Sequence, residues 1–303
     1  MRTVLKILLA LLLAPVLAAC VSHLANSGDD PLPPRPDGAL RAATLNVHYI
    51  LTRRAEGPWS VGDWMRRREP LDAQFKTIGA DLFAFQEMES FAGGAMSAEN
   101  LALDWLLENN PDYRAAAVGD PAEFPSTQPI LYRADRLTLL DQGWFFFSDT
   151  PDVIYSRTFN GSYPAFASWA RFRGPQGTEF DVVNVHTDFR SGSNRLSSAR
   201  LIADRIAPAI AGGRPVILLG DLNAIRGAPV LDTLTEAGLS FLPIDGATYH
   251  LNRGLNLFPA IDHIGTANGI RAAGPPVVLR RRFGGEWPSD HYPVVADLLL
   301  PAN

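Results

Sequence analysis

Short apolar segments that end in a polar side chain recur along the sequence, and they constrain the fold more than any other feature. The clearest is the apolar run 216–219, which is followed by Gly220 and Asp221. Segments of this length and composition predict buried β-strands. Because strand ends are rigid, they can direct polar side chains into one shared cleft. Further strands are predicted over residues 40–50, 81–87, 129–132, 143–147, 169–173, 180–186, 260–264, 277–279 and 294–300.

Helical segments alternate with these strands. Residues 61–78 and 193–210 carry apolar side chains at helical spacing, and 97–109 is predicted as a third helix with Ser97 as its N-cap. Several strands follow one another without a helix between them, which favours an α/β or α+β sandwich over a strict parallel βαβ fold. Since no Pro/Gly-rich break divides residues 40–303, they are predicted to form one domain.

The N-terminal residues resemble a bacterial lipoprotein signal. Residues 1–19 have a short basic start and an apolar run, 7–17, which is shorter than the about 20 residues of a membrane span. Leu-Ala-Ala-Cys follows at 17–20, and Cys20 is the only cysteine of the chain. The sequence therefore predicts a signal peptide that is removed before a lipidated Cys20, with an ordinary secretory signal as the alternative.

The next segment, residues 20–39, is predicted to be the lipidated cysteine and a flexible tether, because Pro, Asp, Ser and Gly dominate it. A lipid anchor predicts a location in the bacterial cell envelope, attached to a membrane. Val21 after the cysteine favours the outer membrane, and a periplasmic or secreted protein is the alternative. No obligate protein partner is predicted.

The formal net charge of −5 bears on the substrate. Proteins that bind nucleic acid non-specifically usually carry an excess of basic residues, because phosphate contacts supply that affinity. An acidic enzyme can still cut nucleic acid through a local basic cleft and bound cations. The charge therefore lowers the expectation of a nucleic-acid substrate without removing it.

The residue types at the strand ends match phosphate and metal chemistry. The carboxylate and amide oxygens of Asn46, Glu87, Asp221 and Asp290 are hard ligands that suit Mg²⁺ or Mn²⁺. A zinc site built on thiolates is excluded, because the one cysteine belongs to the leader. Histidines near carboxylates suit proton transfer or the binding of a phosphate. The candidate histidines are His186 and His291, and the candidate carboxylate beside them is Asp262.

Six segments occur in order along the chain: Thr44–Val47, Phe85–Glu87, Asn184–Asp188, Gly220–Ala224, Ile261–Ile264 and Ser289–Val294. Together they resemble the motifs of the endonuclease/exonuclease/phosphatase superfamily, in the family's order. The resemblance implies a four-layered α/β sandwich, in which two packed mixed β-sheets are flanked by helices, and a catalytic domain at residues 40–303. It also implies a divalent-metal-dependent phosphoesterase.

The resemblance also implies a role for each matching residue. Glu87 would bind Mg²⁺ or Mn²⁺, with Asn46 and Asp290 beside it. Asp221 would orient or deprotonate the attacking water, and Asn223 would hold that water and the phosphate. The remaining catalytic residues are His291, which pairs with Asp262 and hydrogen-bonds the phosphoryl oxygen, and His186, which helps to protonate the leaving group.

The sequence leaves the substrate open. The leading hypothesis is an extracytoplasmic nuclease that hydrolyses phosphodiester bonds in DNA or RNA. The alternative is a sphingomyelinase-like phospholipid phosphodiesterase or an inositol-phosphate phosphatase, which the predicted membrane anchor and the acidic charge both favour. A third hypothesis, a non-catalytic surface lipoprotein, conflicts with the complete set of six segments.

Overall fold

The computed structural model describes residues 2–28, 31–91 and 99–302. The helices in this part of the chain are α1 Arg2–Ala25, α2 Val61–Ile78, α3 Leu101–Asn109, α4 Gly192–Ala211 and α5 Pro229–Glu236. The strands are β1 Leu40–Asn46, β2 Ile50–Leu51, β3 Leu82–Gln86, β4 Ser90–Phe91, β5 Tyr113–Ala116, β6 Ile130–Arg133, β7 Thr138–Phe146, β8 Phe166–Arg173, β9 Glu179–His186, β10 Val216–Asp221, β11 Ser240–Phe241, β12 Asp262–Ala267, β13 Arg271–Ala272, β14 Val277–Val278 and β15 Val294–Leu299.

Most of the strands form two mixed sheets. The first has the order β13-β15-β1-β3-β6-β5, with β14 also paired to β15, and the second has the order β11-β12-β10-β9-β8-β7. The central pair of each sheet, β1 with β3 and β9 with β10, is parallel, whereas the pairs that flank it are antiparallel. Strands β2 and β4 form a small separate ladder near the site.

Three buried clusters divide the molecule into four layers. The central cluster lies between the sheets and includes Ala42 of β1 and Leu219 of β10. A second joins the other face of the first sheet to α2 and α3, through Leu45 and Phe75 for example. A third joins the second sheet to α4 and α5. Because Ala42 and Leu45 belong to opposite faces of β1, the strand shows the expected two-residue alternation. The predicted four-layered α/β sandwich is confirmed.

Capping residues explain where the helices begin and end. Helix α2 has the predicted bounds, since the Ser60 side chain accepts from Asp63 N and Gly79 ends the helix with φ +54°. Helix α3 begins at Leu101 rather than at the predicted residue 97, because the side chain of Asn100 accepts from Leu103 N. The expected cap, Ser97, lies outside the described residues.

The segment before the domain is in contact with it. Arg35 forms an ion pair with Asp81 at 2.5 Å, and Arg41 donates to the carbonyl of Pro33 at 2.7 Å. Residues 31–39 therefore lie against the first sheet, although the sequence predicted a flexible tether. Within the described residues, no helix combines the length and the apolar character needed to span a membrane. Removal of the leader and lipidation of Cys20 stay predictions.

Candidate active site

Strand register brings the ends of five strands to one edge of the sandwich. Asn46 of β1 lies opposite Gln86 of β3 in the first sheet. In the second sheet, Asp221 of β10 lies opposite both His186 of β9 and Asp262 of β12. Both central pairs are parallel, so their carboxyl ends meet at the same edge. Six segments far apart in sequence therefore converge on one cleft.

A buried polar layer holds the two sheets together beneath this cleft. Gln86 donates to Asn184 Oδ1 at 2.7 Å across the sheets, and it also donates to Thr44 Oγ1 at 3.0 Å. The Asn184 amide in turn donates to the carbonyl of Phe85 at 2.8 Å. All four residues are buried. Since buried polar groups are costly unless they are hydrogen-bonded, this network fixes the spacing of the sheets.

Gly220 allows β10 to lie close to β9 directly before Asp221. Its φ is +146°, and a Cβ atom at this position would lie 1.9 Å from the carbonyl oxygen of Val185. Any other residue would force the two strands apart. The glycine of the Gly-Asp motif is therefore needed to place Asp221 beside His186.

The first-sheet half of the site consists of Asn46, Glu87 and Asp290. Asn46 Nδ2 donates to Glu87 Oε1 at 3.0 Å, and Glu87 follows β3 with φ +53°, which turns it out of the strand. Ser289 Oγ donates to the carbonyl of Asn46 at 2.5 Å, and this bond ties the Asp290 segment to β1. Burial alone raises the pKa of Asp290, but the nearby His291 and His48 outweigh it and lower the pKa.

The second-sheet half places one carboxylate between two histidines. Asp221 Oδ2 lies 3.7 Å from His186 Nε2 and 3.8 Å from His291 Nε2. His291 Nδ1 lies 2.9 Å from Asp262 Oδ2, in a buried hydrogen bond. His186 Nε2 is also 3.8 Å from Glu87 Oε1, so it faces both halves.

Burial and mutual charge shift the pKa values in this half. Burial, followed by the charge of Asp262, raises the pKa of Asp221 to about 6. Burial alone lowers the pKa of His291, but the charge and hydrogen bond of Asp262, together with the charges of Asp221 and Asp290, raise it to about 10. At neutral pH, Asp221 is therefore a carboxylate that can accept a proton, and His291 is an imidazolium that donates hydrogen bonds.

Asn223 is the last of the eight predicted site residues. Its backbone N–H donates to Asp221 Oδ1 at 2.8 Å, and its Nδ2 donates to the carbonyl of Thr187 at 2.9 Å. Its φ of +45° places the residue in the left-handed region, which asparagine tolerates better than most residues. The eight predicted site residues thus lie around one cleft.

The match to known proteins agrees with this geometry. The sequence matches the profile of the Endonuclease/Exonuclease/phosphatase family over residues 43–291. The chain belongs to this family. As an Endonuclease/Exonuclease/phosphatase family protein, it is a hydrolase that acts on phosphoester bonds. A search of curated proteins gave no match.

Solved structures share the fold of this family member. An endonuclease/exonuclease/phosphatase family protein from Bacteroides thetaiotaomicron is 24% identical, with a TM-score of 0.70 over 86% of this chain and 97% of that chain. Mannosyl-6-phosphatase from the same bacterium is 24% identical, with a TM-score of 0.71 over 86% and 100%. D. rerio TDP2 with a single-strand DNA product is 15% identical, with a TM-score of 0.64 over 86% and 99%. These similarities show the fold.

Sequence reasoning missed one residue that shapes the family site. Arg67 of α2 is buried and pairs with Asp63 at 3.0 Å. Its guanidinium donates to the carbonyls of Val47, at 2.7 Å, and Pro288, at 3.2 Å. It therefore holds the Asn46 and Asp290 segments side by side. Helical spacing alone gave no signal for this contact.

The donor set fits a divalent cation. Four carboxylates, Glu87, Asp221, Asp262 and Asp290, surround two histidines, which leaves an excess of negative charge that a cation would balance. One buried group of three described residues, Asp221, Asp262 and His291, has ligand atoms within 4.8 Å of one another. In that group the Asp262–His291 contact is already a hydrogen bond. The oxygen donors of the first-sheet half, Asn46, Glu87 and Asp290, are a second set of side chains in this cleft that could hold a cation.

A pocket of about 590 Å³ opens beside Glu87 and His186. Its charged side chains are mainly acidic, with Arg190 as the one arginine and no lysine among the lining residues. Burial, followed by the charge of Glu87, raises the pKa of Glu89 in its wall to about 7. The other polar side chains that line it are Tyr49, Thr127, Gln128, Thr158, Asn160, Ser162, Tyr163, Thr187, Asp188 and Ser191.

Proposed function

We propose that this family member is a divalent-metal-dependent phosphatase whose substrate is a small, polyhydroxylated phosphate monoester, such as a phosphorylated sugar or an inositol phosphate. The observation that carries the proposal is the pocket beside Glu87 and His186. Its volume, about 590 Å³, matches a small molecule, and hydroxyl and amide side chains dominate its polar lining. The similarity in fold to mannosyl-6-phosphatase is consistent with such a substrate.

One buried acceptor in the pocket supports a hydroxylated substrate. Gln128 is buried, and its Nε2 donates to the carbonyl of Phe166 at 2.6 Å. Its Oε1 is buried without a hydrogen-bond partner among the described residues. A buried polar atom without a partner carries a free-energy cost, and a substrate hydroxyl would remove that cost once a rotation of the Gln128 side chain turned Oε1 into the pocket. Gln128 is therefore the side chain that would select for a hydroxyl group.

In this proposal, Asn46, Glu87 and Asp290 would hold Mg²⁺ or Mn²⁺. The bound cation would polarise a phosphoryl oxygen and stabilise negative charge. The oxygen donors match both ions.

The protein residues would then divide the proton transfers. Asp221 takes a proton from the attacking water, and the backbone of Asn223 holds the Asp221 carboxylate in place at 2.8 Å. His291, kept protonated by Asp262, donates a hydrogen bond to the phosphoryl oxygen. His186 lies on the pocket side and protonates the leaving-group oxygen.

The nuclease hypothesis from the sequence is the second candidate. The fold shared with TDP2, whose structure holds a single-strand DNA product, favours it. Against it stands the pocket lining, because a nucleic-acid strand requires several cations along its path. A phospholipid phosphodiesterase remains a third candidate through the predicted membrane anchor.

A substrate panel tests the proposal. Purified protein with Mg²⁺ or Mn²⁺ is given hexose 6-phosphates, inositol phosphates, sphingomyelin, single-stranded DNA and RNA. We expect release of inorganic phosphate from the small monoesters, with little cleavage of the polymers and lipid. Efficient cleavage of DNA or RNA without release of phosphate from any small monoester would overturn it. The Asp221→Asn variant excludes a contaminating phosphatase.

The location of the enzyme is a separate proposal. We infer an outer-membrane lipoprotein that is attached through Cys20, which is exposed near the end of α1. Metabolic labelling with a radioactive fatty acid, compared with a Cys20→Ser variant, tests the attachment. No protein partner is required by this proposal.

A further inference from the structure

The end of α1 is fixed to the domain by specific hydrogen bonds. Ser22 Oγ donates to the carbonyl of Leu257 at 2.7 Å, and Asn256 N donates to His23 Nδ1 at 3.0 Å. Asn256 Nδ2 donates to Ser27 Oγ at 2.9 Å, and Ala247 N donates to the carbonyl of Asn26 at 2.9 Å. The segment directly after Cys20 therefore has a defined place on the surface.

Exposed apolar and cationic side chains surround these contacts. Leu251, Leu255 and Phe258 are 37%, 39% and 53% exposed. The neighbouring loop brings Arg282 over the ring of Trp287, 5.0 Å from its centroid, and that ring lies against Gly254. Arg280 joins the same region to the segment after Cys20 through the carbonyl of Gly28 at 3.1 Å. We name residues 22–28, 251–258 and 280–283 the anchor face.

The charge of the anchor face differs from that of the whole chain. It contains four arginines, at 253, 280, 281 and 282, and no aspartate or glutamate, although the chain carries a net charge of −5. Four acidic residues adjoin these segments in the sequence or lie a few residues from them: Asp29, Asp30, Asp245 and Glu286. Exposed apolar side chains combined with arginines are the composition that binds anionic lipid surfaces.

We propose that the anchor face rests on the surface of an anionic membrane. The position of Cys20 points to this partner, because it lies only two helical residues, or about 3 Å, before Ser22. Acyl chains on Cys20 would sit in the bilayer, which would bring the anchor face to the headgroups. The surface itself is independent of the lipid, so it can be tested without acylation.

The anchor face lies next to the active site. Tyr249, just before its loop, pairs with His291 in a short β-bridge, and His250 N donates to the carbonyl of Asp290 at 2.9 Å. Docking through this face would therefore hold the catalytic cleft beside the membrane, so that substrate is hydrolysed in the layer of solvent next to the lipid headgroups.

Vesicle binding tests this proposal with the chain from residue 20, carrying Cys20→Ser. This chain keeps every domain contact described above, because residues 13–21 are exposed and the contacts begin at Ser22. Vesicles of phosphatidylethanolamine and phosphatidylglycerol are compared with phosphatidylcholine vesicles. We expect binding to the anionic vesicles only, and a loss of at least about a hundredfold in the Arg253→Glu/Arg281→Glu/Arg282→Glu variant, because removal of each positive charge alone costs about fivefold.

A matched control and a second variant keep the test decisive. The control Arg200→Glu/Leu140→Ser changes an exposed arginine and an exposed leucine elsewhere, and it should bind like the parent. If the triple variant has a lowered melting temperature, Leu255→Ser/Phe258→Ser replaces it and should also weaken binding. No binding by the parent chain, or equal binding by parent and anchor-face variants, overturns the proposal. Phosphatase activity on soluble substrate is measured separately and should be unchanged, so a failure there concerns the proposed function alone.

Discussion

The two halves of the active site use similar residues for different chemistry. In the first-sheet half, the Glu87 carboxylate accepts from the Asn46 amide at 3.0 Å and stays half-exposed. In the second-sheet half, Asp262 is buried and hydrogen-bonded to His291 at 2.9 Å. The first half offers oxygen ligands in the open cleft, whereas the second half has its carboxylates engaged with imidazoles.

We infer from this difference that the environment of a carboxylate, rather than its residue type, determines whether it suits a cation or a proton transfer. A carboxylate beside an amide, at the edge of the cleft, is suited to a cation, because its imidazole neighbour is 3.8 Å away rather than in a 2.9 Å hydrogen bond like that of Asp262. A carboxylate buried against a histidine controls the position of a proton. Substitutions in each half test this division between cation binding and proton transfer.

Asp221→Asn should reduce kcat by about 10³-fold, because the amide cannot take the proton of the attacking water. The affinity for Mg²⁺ should change little, since we place the cation at Glu87. Steady-state kinetics at saturating Mg²⁺ measure the effect, with exposed Asp204→Asn as the matched control. A similar loss in the control, or an activity within tenfold of the parent, would speak against the role of Asp221.

Glu87→Gln should reduce activity by about 10²-fold at low Mg²⁺ and should shift the Mg²⁺ activation curve to higher concentration. The physical reason is the loss of an anionic ligand, and excess metal should restore part of the activity. Glu108→Gln, on the exposed side of α3, is the control. An unchanged activation curve would remove Glu87 from the cation site.

The pH profile of the parent enzyme should have an acidic limb near pH 6, from Asp221, and an alkaline limb toward pH 10, from His291. Asp262→Asn should reduce activity about tenfold at neutral pH and should move the alkaline limb to lower pH. The sign follows because Asp262 raises the His291 pKa. That raised pKa also adds stability which is complete below about pH 6.5 and is lost as the pH rises through about 10. An alkaline limb that stays in place would contradict this pairing.

Gln128→Met should raise KM several-fold for a hydroxylated substrate and should leave kcat nearly unchanged, because it removes one acceptor from the pocket without changing the reacting groups. The same substitution should have no effect on a phosphate monoester without additional hydroxyl groups, such as an aryl phosphate. Equal effects on both substrates would assign Gln128 a structural role only.

The sequence predicted which residues gather at the cleft better than it predicted the contacts that hold those residues in place. The eight predicted site residues follow apolar strands or sit in short motifs, and strand register places four of them: Asn46, His186, Asp221 and Asp262. The strong periodicity of α2 and α4 also predicted those helices within one residue of their bounds. The local pattern was sufficient to predict these helices, because their buried side chains recur at helical spacing.

Contacts between distant segments could not be predicted in the same way. Nothing in the sequence predicts the burial of Arg67, because its partners are the backbone carbonyls of Val47 and Pro288, which any residue could supply. The predicted strand at 40–50 ends at Asn46, since His48 adopts φ +66° and breaks it. Such features depend on three-dimensional packing around the cleft, which no single segment encodes.

The most direct test of the division between the halves is a calorimetric titration of Mn²⁺ into the parent enzyme, Glu87→Gln and Asp221→Asn. Each variant removes one negative charge from the same cleft, so general electrostatics affect both alike. We expect the affinity for Mn²⁺ to fall tenfold or more in Glu87→Gln and to stay at the parent value in Asp221→Asn. Retained Mn²⁺ binding in Glu87→Gln, together with lost binding in Asp221→Asn, would place the cation at Asp221, Asp262 and His291. That result would contradict a cation site at Glu87.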